Sequence, residues 1–69
     1  MKNYEASVKI NNDWQKLLKD TQRNCVKTAI KESKKIEVQE TDVRGFDENG
    51  DITFHCFYKN GKLEINMFN

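Results

Sequence analysis

His55 and Cys56 are the side chains best suited to general-base and nucleophilic work, and they are neighbours in the chain. In a strand, neighbours point to opposite faces, so these two cannot form a nucleophile–base pair with each other. Cys25 is the other thiol. Two thiols and one imidazole do not complete a tetrahedral zinc site without carboxylates, and no Cys-x-x-Cys spacing occurs. Glu37, Glu40 and Asp42 are close enough in sequence to be neighbours, but they make no convincing acid–base pair, and a chain of 69 residues leaves little room for a reaction pocket. Asp47-Glu48-Asn49-Gly50-Asp51 resembles the start of a calcium loop. It lacks the alternating Asp ligands and the closing Glu, and it lies in a hairpin context. A Gly-rich phosphate loop and a Gly-x-Ser-x-Gly elbow are both missing. The expectation is a protein without catalytic residues, cofactor or metal.

Charge carries more information. Residues 1–35 hold nine basic and four acidic side chains, whereas residues 36–69 hold three and seven. The net charge of +1 therefore hides a dipolar chain. Lys16, Lys19, Arg23, Lys27 and Lys31 recur at near-helical spacing and form a ridge if one helix carries them. Like charges four apart oppose each other, so the row does nothing for helix stability. It is either a solvated face or a surface for phosphates or an acidic partner. The ridge has no interleaved aromatics and one arginine among lysines, so any nucleic acid would be contacted non-specifically. Asp47, Glu48 and Asp51 form an acidic hairpin tip, a second candidate contact.

These residues need elements to hold them. Tyr4, Ala6, Val8 and Ile10 alternate with Glu5, Ser7 and Lys9, which reads as a half-buried strand. Asn11-Asn12-Asp13 reads as the cap of a helix over roughly 13–33, with Trp14, Leu18, Thr21, Cys25 and Ala29 on one apolar stripe. Such a helix is about 30 Å long and must cross the sheet diagonally or overhang it. Trp14 then anchors the core.

Three strands follow. Asn60-Gly61 predicts a two-residue hairpin pairing Tyr58 with Leu63, Cys56 with Ile65 and Phe54 with Met67. Asn49-Gly50 predicts a second hairpin. Ile36 and Val38 sit on even positions and Val43 on an odd one, so a strand from 35 to 45 needs a bulge near Glu40 to Asp42. Cys25 and Cys56 both fall on core faces, as buried thiols or, if they meet, a disulfide. His55, Thr53, Phe57 and Phe68 fall on the outer sheet face, where Phe57 and Phe68 make a candidate contact patch or are incidentally exposed.

The expected fold is α+β: one domain over residues 1–69, with a single helix on one face of a four-stranded antiparallel sheet, in the order β-α-β-β-β. In element order it resembles the cystatin/monellin-type roll. Thr41-Asp42-Val43-Arg44-Gly45 matches the cystatin Gln-x-Val-x-Gly motif only at Val43 and Gly45. The absence of proline removes the second inhibitory loop, so protease inhibition is not carried over.

No apolar run is long enough to span a membrane, no export signal follows Met1, and there are only two cysteines. A cytoplasmic protein with no membrane partner is expected, as a monomer or weak homodimer. In size, Lys/Asn-rich composition and single-helix-on-sheet order, the whole chain resembles small phage-encoded inhibitors of bacterial defence, including anti-CRISPR proteins. That resemblance implies an inhibitor docking on a protein or nucleoprotein. The residues themselves leave open a small nucleic-acid-binding module using the Lys/Arg row.

Overall fold

The computed structural model describes residues 3–67. The elements are β1 (Tyr4–Ile10), β2 (Asp13–Asp20), α1 (Gln22–Ser33), β3 (Glu40–Phe46), β4 (Ile52–Lys59) and β5 (Lys62–Asn66). They form one five-stranded antiparallel sheet, β2-β1-β3-β4-β5, with the helix packed mainly over β1 and β3. The α+β class and the single helix are as expected. The strand count is five rather than four, and the order is β-β-α-β-β-β. No helix among the described residues is long and apolar enough to cross a membrane.

The extra strand comes from Asn11 and Asn12. Both take left-handed backbone angles, φ 53° and 63°, and Ile10 pairs with Asp13 across them. Asparagine is the non-glycine residue that best tolerates this region, so the pair closes a two-residue hairpin instead of capping a helix. The chain then returns along β1. Leu17 is passed over in the pairing, since Ala6 faces Leu18 while Ser7 faces Lys16. This bulge changes the phase of β2, so that Leu18 packs on the core and Trp14 and Lys16 lie on the opposite face.

The helix is consequently 12 residues long, about 18 Å, and fits the sheet without overhang. Thr21 caps it, its side chain accepting from the Asn24 backbone N–H. Cys25, Ala29 and Ser33 form its buried stripe. Against them pack Ala6, Val43, Cys56 and Tyr58, mostly small side chains that let the helix sit close. The buried Thr41 hydroxyl donates to the Ala29 carbonyl at 2.8 Å, tying helix to sheet. At the helix end, Ser33 Oγ accepts from the Gly61 backbone N–H at 2.8 Å.

Both predicted hairpins form. Asn60 (φ 54°) and Gly61 (φ 79°) make the expected turn, and Tyr58 faces Leu63. Beyond that pair, a bulge at Glu64 shifts the register: Phe57 faces Ile65 and Cys56 faces Asn66. The expected Cys56–Ile65 and Phe54–Met67 pairs are not made. The helix packs mainly over β1 and β3 rather than β5, and past Leu63 the strand's Ile65 turns to the other face beside Phe57. The bulge expected near Glu40 to Asp42 is absent as well. β3 begins only at Glu40, and Ile36 lies in the preceding loop, fully exposed, so the parity conflict with Val43 does not arise.

Candidate binding face of the sheet

One face of the sheet is covered by the helix; the other is open. Cross-strand partners share a face, so the register gives its contents. β2 contributes Trp14, Lys16 and Lys19, and β1 contributes Lys9, Ser7 and Glu5. β3 adds Glu40, Asp42 and Arg44, and β4 adds Phe57 and His55.

Charges alternate across this face. Glu5 Oε1 lies 3.9 Å from Lys16 Nζ and 3.7 Å from Arg44 Nη2. Arg44 Nε is 3.7 Å from Asp42 Oδ2, which also meets His55 Nε2 at 2.9 Å. Arg44 Nη2 donates to the Ser7 hydroxyl at 3.3 Å. The chain Lys16–Glu5–Arg44–Asp42–His55 thus runs over four strands. Exposed pairs of this length contribute little each, up to about 1 kcal/mol, but the Asp42 carboxylate is buried and depends on its partners.

Two aromatic rings roof this ladder. Trp14 on β2 and Phe57 on β4 are separated by β1 and β3, three strand spacings or about 14 Å of backbone. Their ring centroids are nevertheless 6.3 Å apart at 62°, so both side chains lean inward over the two middle strands. Ser7 and Asp42 are buried as a result, on a face no helix covers. His55 stacks on Phe57 at 4.6 Å, and Lys9 Nζ sits 5.9 Å over the Trp14 ring. Ser7, Trp14, Asp42, Arg44, His55 and Phe57 enclose a depression of about 310 Å³, at the small end of ligand sites.

Asp42 and Arg44 each keep one buried polar atom, Oδ1 and Nε, with no hydrogen-bond partner among the described residues. Such an atom costs about 1–3 kcal/mol in a folded protein.

The expected five-residue basic ridge is split. Lys16 and Lys19 belong to β2 and the open face, whereas Arg23, Lys27 and Lys31 line the outward side of the helix, opposite Cys25 and Ala29. The reason is the Asn11-Asn12 hairpin, which ends helical continuity before Thr21. At the acidic tip, Asp47 Oδ1 accepts from the backbone N–H groups of Asn49 and Asp51, so this carboxylate is used in shaping its own turn. Glu48 and Asp51 are exposed beside it. Phe57 lies on the outer face as expected; Phe68 lies outside the described residues. Trp14, expected in the core, is 42% exposed on the open face.

Cys25 and Cys56 are free buried thiols on the helix side, not a disulfide. Burial raises both thiol pKa values, and Cys56 Sγ donates to Tyr58 Oη at 3.3 Å. On the open face the Asp42–His55 pair resembles acid–base machinery, as does Glu40 beside Glu64, and the Ser7 hydroxyl next to Asp42 accepts from Arg44.

The Asp42–His55–Arg44 cluster and the Trp14 wall escaped sequence reasoning. Their signal was present in parity alone: Asp42 and Arg44 share a face of β3 opposite Val43, and His55 shares one with Phe57. Seeing Trp14 join them required Asn11-Asn12 to be read as a turn. No protein-family model, no curated protein and no solved structure matches the chain.

Proposed function

We propose that the protein is a small non-catalytic binding protein, an inhibitor that docks on a protein or nucleoprotein through the helix-free face of its sheet. One observation carries this reading: the open face, which no helix covers, holds two inward-leaning aromatic rings over a depression lined by charged side chains, the buried Asp42 among them. Tryptophan and arginine surrounded by weaker contacts are the usual centres of binding energy at interfaces. Ile65, 50% exposed beside Phe57, extends the apolar part toward β5. The small size, Lys/Asn-rich composition and single helix on a sheet support the likeness to phage-encoded anti-defence inhibitors of the anti-CRISPR type. Such a protein acts in the cytoplasm by covering a surface its target needs.

A second reading is favoured by the exposed row Arg23, Lys27 and Lys31 on the helix: a nucleic-acid module contacting phosphates from that side. Partner retention on immobilised protein separates the two. Trp14→Ala with Phe57→Ala is expected to lose a partner that wild type holds, while Arg23→Glu, Lys27→Glu and Lys31→Glu together keep it. The reverse pattern overturns the open-face reading.

A further inference from the structure

We infer that the free edge of β2 pairs with the β2 edge of a second copy, antiparallel about a two-fold axis at Gln15, to make a weak homodimer with one continuous sheet. β2 ends the sheet, and Asp13 to Lys16 are exposed throughout. The Asn11-Asn12 turn fixes which backbone groups that edge presents. A two-residue turn of this kind makes its flanking residues, Ile10 and Asp13, a hydrogen-bonded pair, and bonded and non-bonded pairs then alternate. Gln15 with Val8 is therefore bonded, whereas Trp14 with Lys9 and Lys16 with Ser7 are not. The Lys9 carbonyl agrees: it accepts from the Gln39 N–H at 2.8 Å, on the side away from β2. The backbone N–H and C=O groups of Trp14 and Lys16 thus point outward, two residues apart, at the spacing a further antiparallel strand needs.

That pattern selects the occupant and the register. With the axis at Gln15, Trp14 faces the partner's Lys16 and Lys16 faces the partner's Trp14, and each pair exchanges both of its N–H···O bonds. On the open face each Lys16 ammonium then comes beside the partner's indole, an attractive pair. Lys16 has the freedom to make it, since its side chain is 68% exposed and only loosely paired with Glu5 at 3.9 Å. On the helix side Gln15 meets the partner's Gln15, and a carboxamide both donates and accepts, so the pair is self-complementary. An axis at Lys16 would set the two Lys16 side chains against each other, and an axis at Trp14 would leave a single bonded pair. α1 lies mainly over β1 and β3 and leaves the β2 edge clear. The opposite edge is blunted: β5 presents Leu63, but the bulge at Glu64 breaks the spacing before a second outward residue. Pairing β2 on β5 would propagate as an open filament, whereas β2 on β2 closes. The axis is perpendicular to the sheet, so both open faces lie side by side and uncovered. Self-pairing and docking on the open face therefore stand or fall separately.

An edge this short buries less than the about 1,200 Å² of stable complexes, so a Kd of about 0.1–1 mM is expected. Sedimentation equilibrium of the full chain between about 0.02 and about 2 mM reads the mass, and amide hydrogen exchange followed by NMR reads the edge. The weight-average mass is expected to climb from 8.2 kDa toward twice that value. Exchange of the Trp14 and Lys16 amides is expected to slow with concentration, while that of Leu63 on the β5 edge does not. Lys16→Pro removes one outward N–H without breaking a bond to β1, and is expected to weaken the dimer about tenfold or more. Gln15→Lys sets like charges across the axis and is expected to weaken it about threefold with circular dichroism unchanged, which decides the matter should the proline variant misfold. Leu63→Lys is expected to leave the dimer as it is. A chain that stays at 8.2 kDa up to about 2 mM overturns the pairing. A dimer unaffected by Gln15→Lys overturns it too, as does one lost with Leu63→Lys, which would place the contact on β5.

Discussion

Replacing Trp14 by alanine distinguishes a core anchor from a surface ring on a strand. In the fold described, Trp14 is 42% exposed and makes two specific contacts, an edge contact with Phe57 and the ammonium of Lys9 over its ring. The first is worth about 0.5–1.5 kcal/mol and the second about 0.5–1 kcal/mol at an exposed site. The ring is also a little over half covered, so roughly that fraction of a buried tryptophan's cost applies, and Trp14→Ala is expected to cost about 2–3 kcal/mol in all. A fully buried tryptophan anchoring a continuous helix over 13–33 would cost up to about 5 kcal/mol. A domain of 69 residues has roughly 3–10 kcal/mol in total, so that larger loss would leave little folded protein. Urea unfolding followed by far-ultraviolet circular dichroism suits the measurement, because the substitution removes the only tryptophan. With a slope of about 1 kcal/mol per M for a protein this small, the midpoint should fall by about 2–3 M. Loss of cooperative unfolding, or a cost above about 4 kcal/mol, would refute the placement of Trp14 on the open face. A cost below about 1 kcal/mol would refute the ring contacts and the partial cover.

Three further outcomes follow from the core and its edges. At Gly45, an added Cβ would lie 2.5 Å from Tyr4 Cε2 and 3.0 Å from Phe54 Cβ; Gly45→Ala should cost about 1–3 kcal/mol by overpacking, measured in the same urea experiment. Burial raises the pKa values of Cys25, Cys56 and Tyr58, so the unfolded chain releases these protons first as pH rises. Their contribution is intact below the unfolded thiol value near 8.5 and declines above it, so the thermal midpoint should fall from pH 8.5 to 10.5, and Ellman's reagent should label both thiols only on unfolding. Burial, and then the neighbouring Glu64, raise the pKa of Glu40, so the fold favours its protonated form. Glu40→Gln should stabilise slightly at pH 7, by a few tenths of a kcal/mol at most because solvent screens a group this exposed, an advantage that shrinks as pH falls toward 4.

Local chemistry explains which parts of the fold could be read from the chain. Asn60-Gly61 and Asn49-Gly50 pair a tolerant residue with a glycine, and both hairpins form. Asn11-Asn12 makes the same kind of turn without a glycine, and the following residues happen to space Trp14, Leu18, Thr21 and Cys25 at helical intervals. The bulge at Leu17 instead puts Leu18 on the core side after Trp14 and Lys16 have faced out, so Trp14 and Leu18 lie on opposite faces of β2. A bulge is set by tertiary packing, so it leaves no mark in local propensity. The same applies to Glu64, which moves Ile65 from the core side to the side of Phe57. The parity conflict between Ile36 and Val43 was real evidence, but its resolution was a later strand start rather than a bulge.

The candidate site suffered most from the missed hairpin. Its cluster draws Ser7, Trp14, Asp42, Arg44, His55 and Phe57 from four strands, and only Phe57 was legible as a contact residue. Lys16 and Lys19 were singled out for their charge, and that charge is present, but on the opposite side of the sheet from Arg23, Lys27 and Lys31. The missing aromatic neighbours of the basic row are supplied by Trp14 and Phe57 once β2 lies in the sheet.

The most direct test of the open face as the docking surface is the affinity of one retained partner for three proteins: wild type, Trp14→Ala with Phe57→Ala, and Arg23→Glu with Lys27→Glu and Lys31→Glu. The expected result is a loss of at least tenfold for the aromatic pair and a change within twofold for the helix variant. Unchanged affinity of the aromatic pair, with both variants folded, would contradict it.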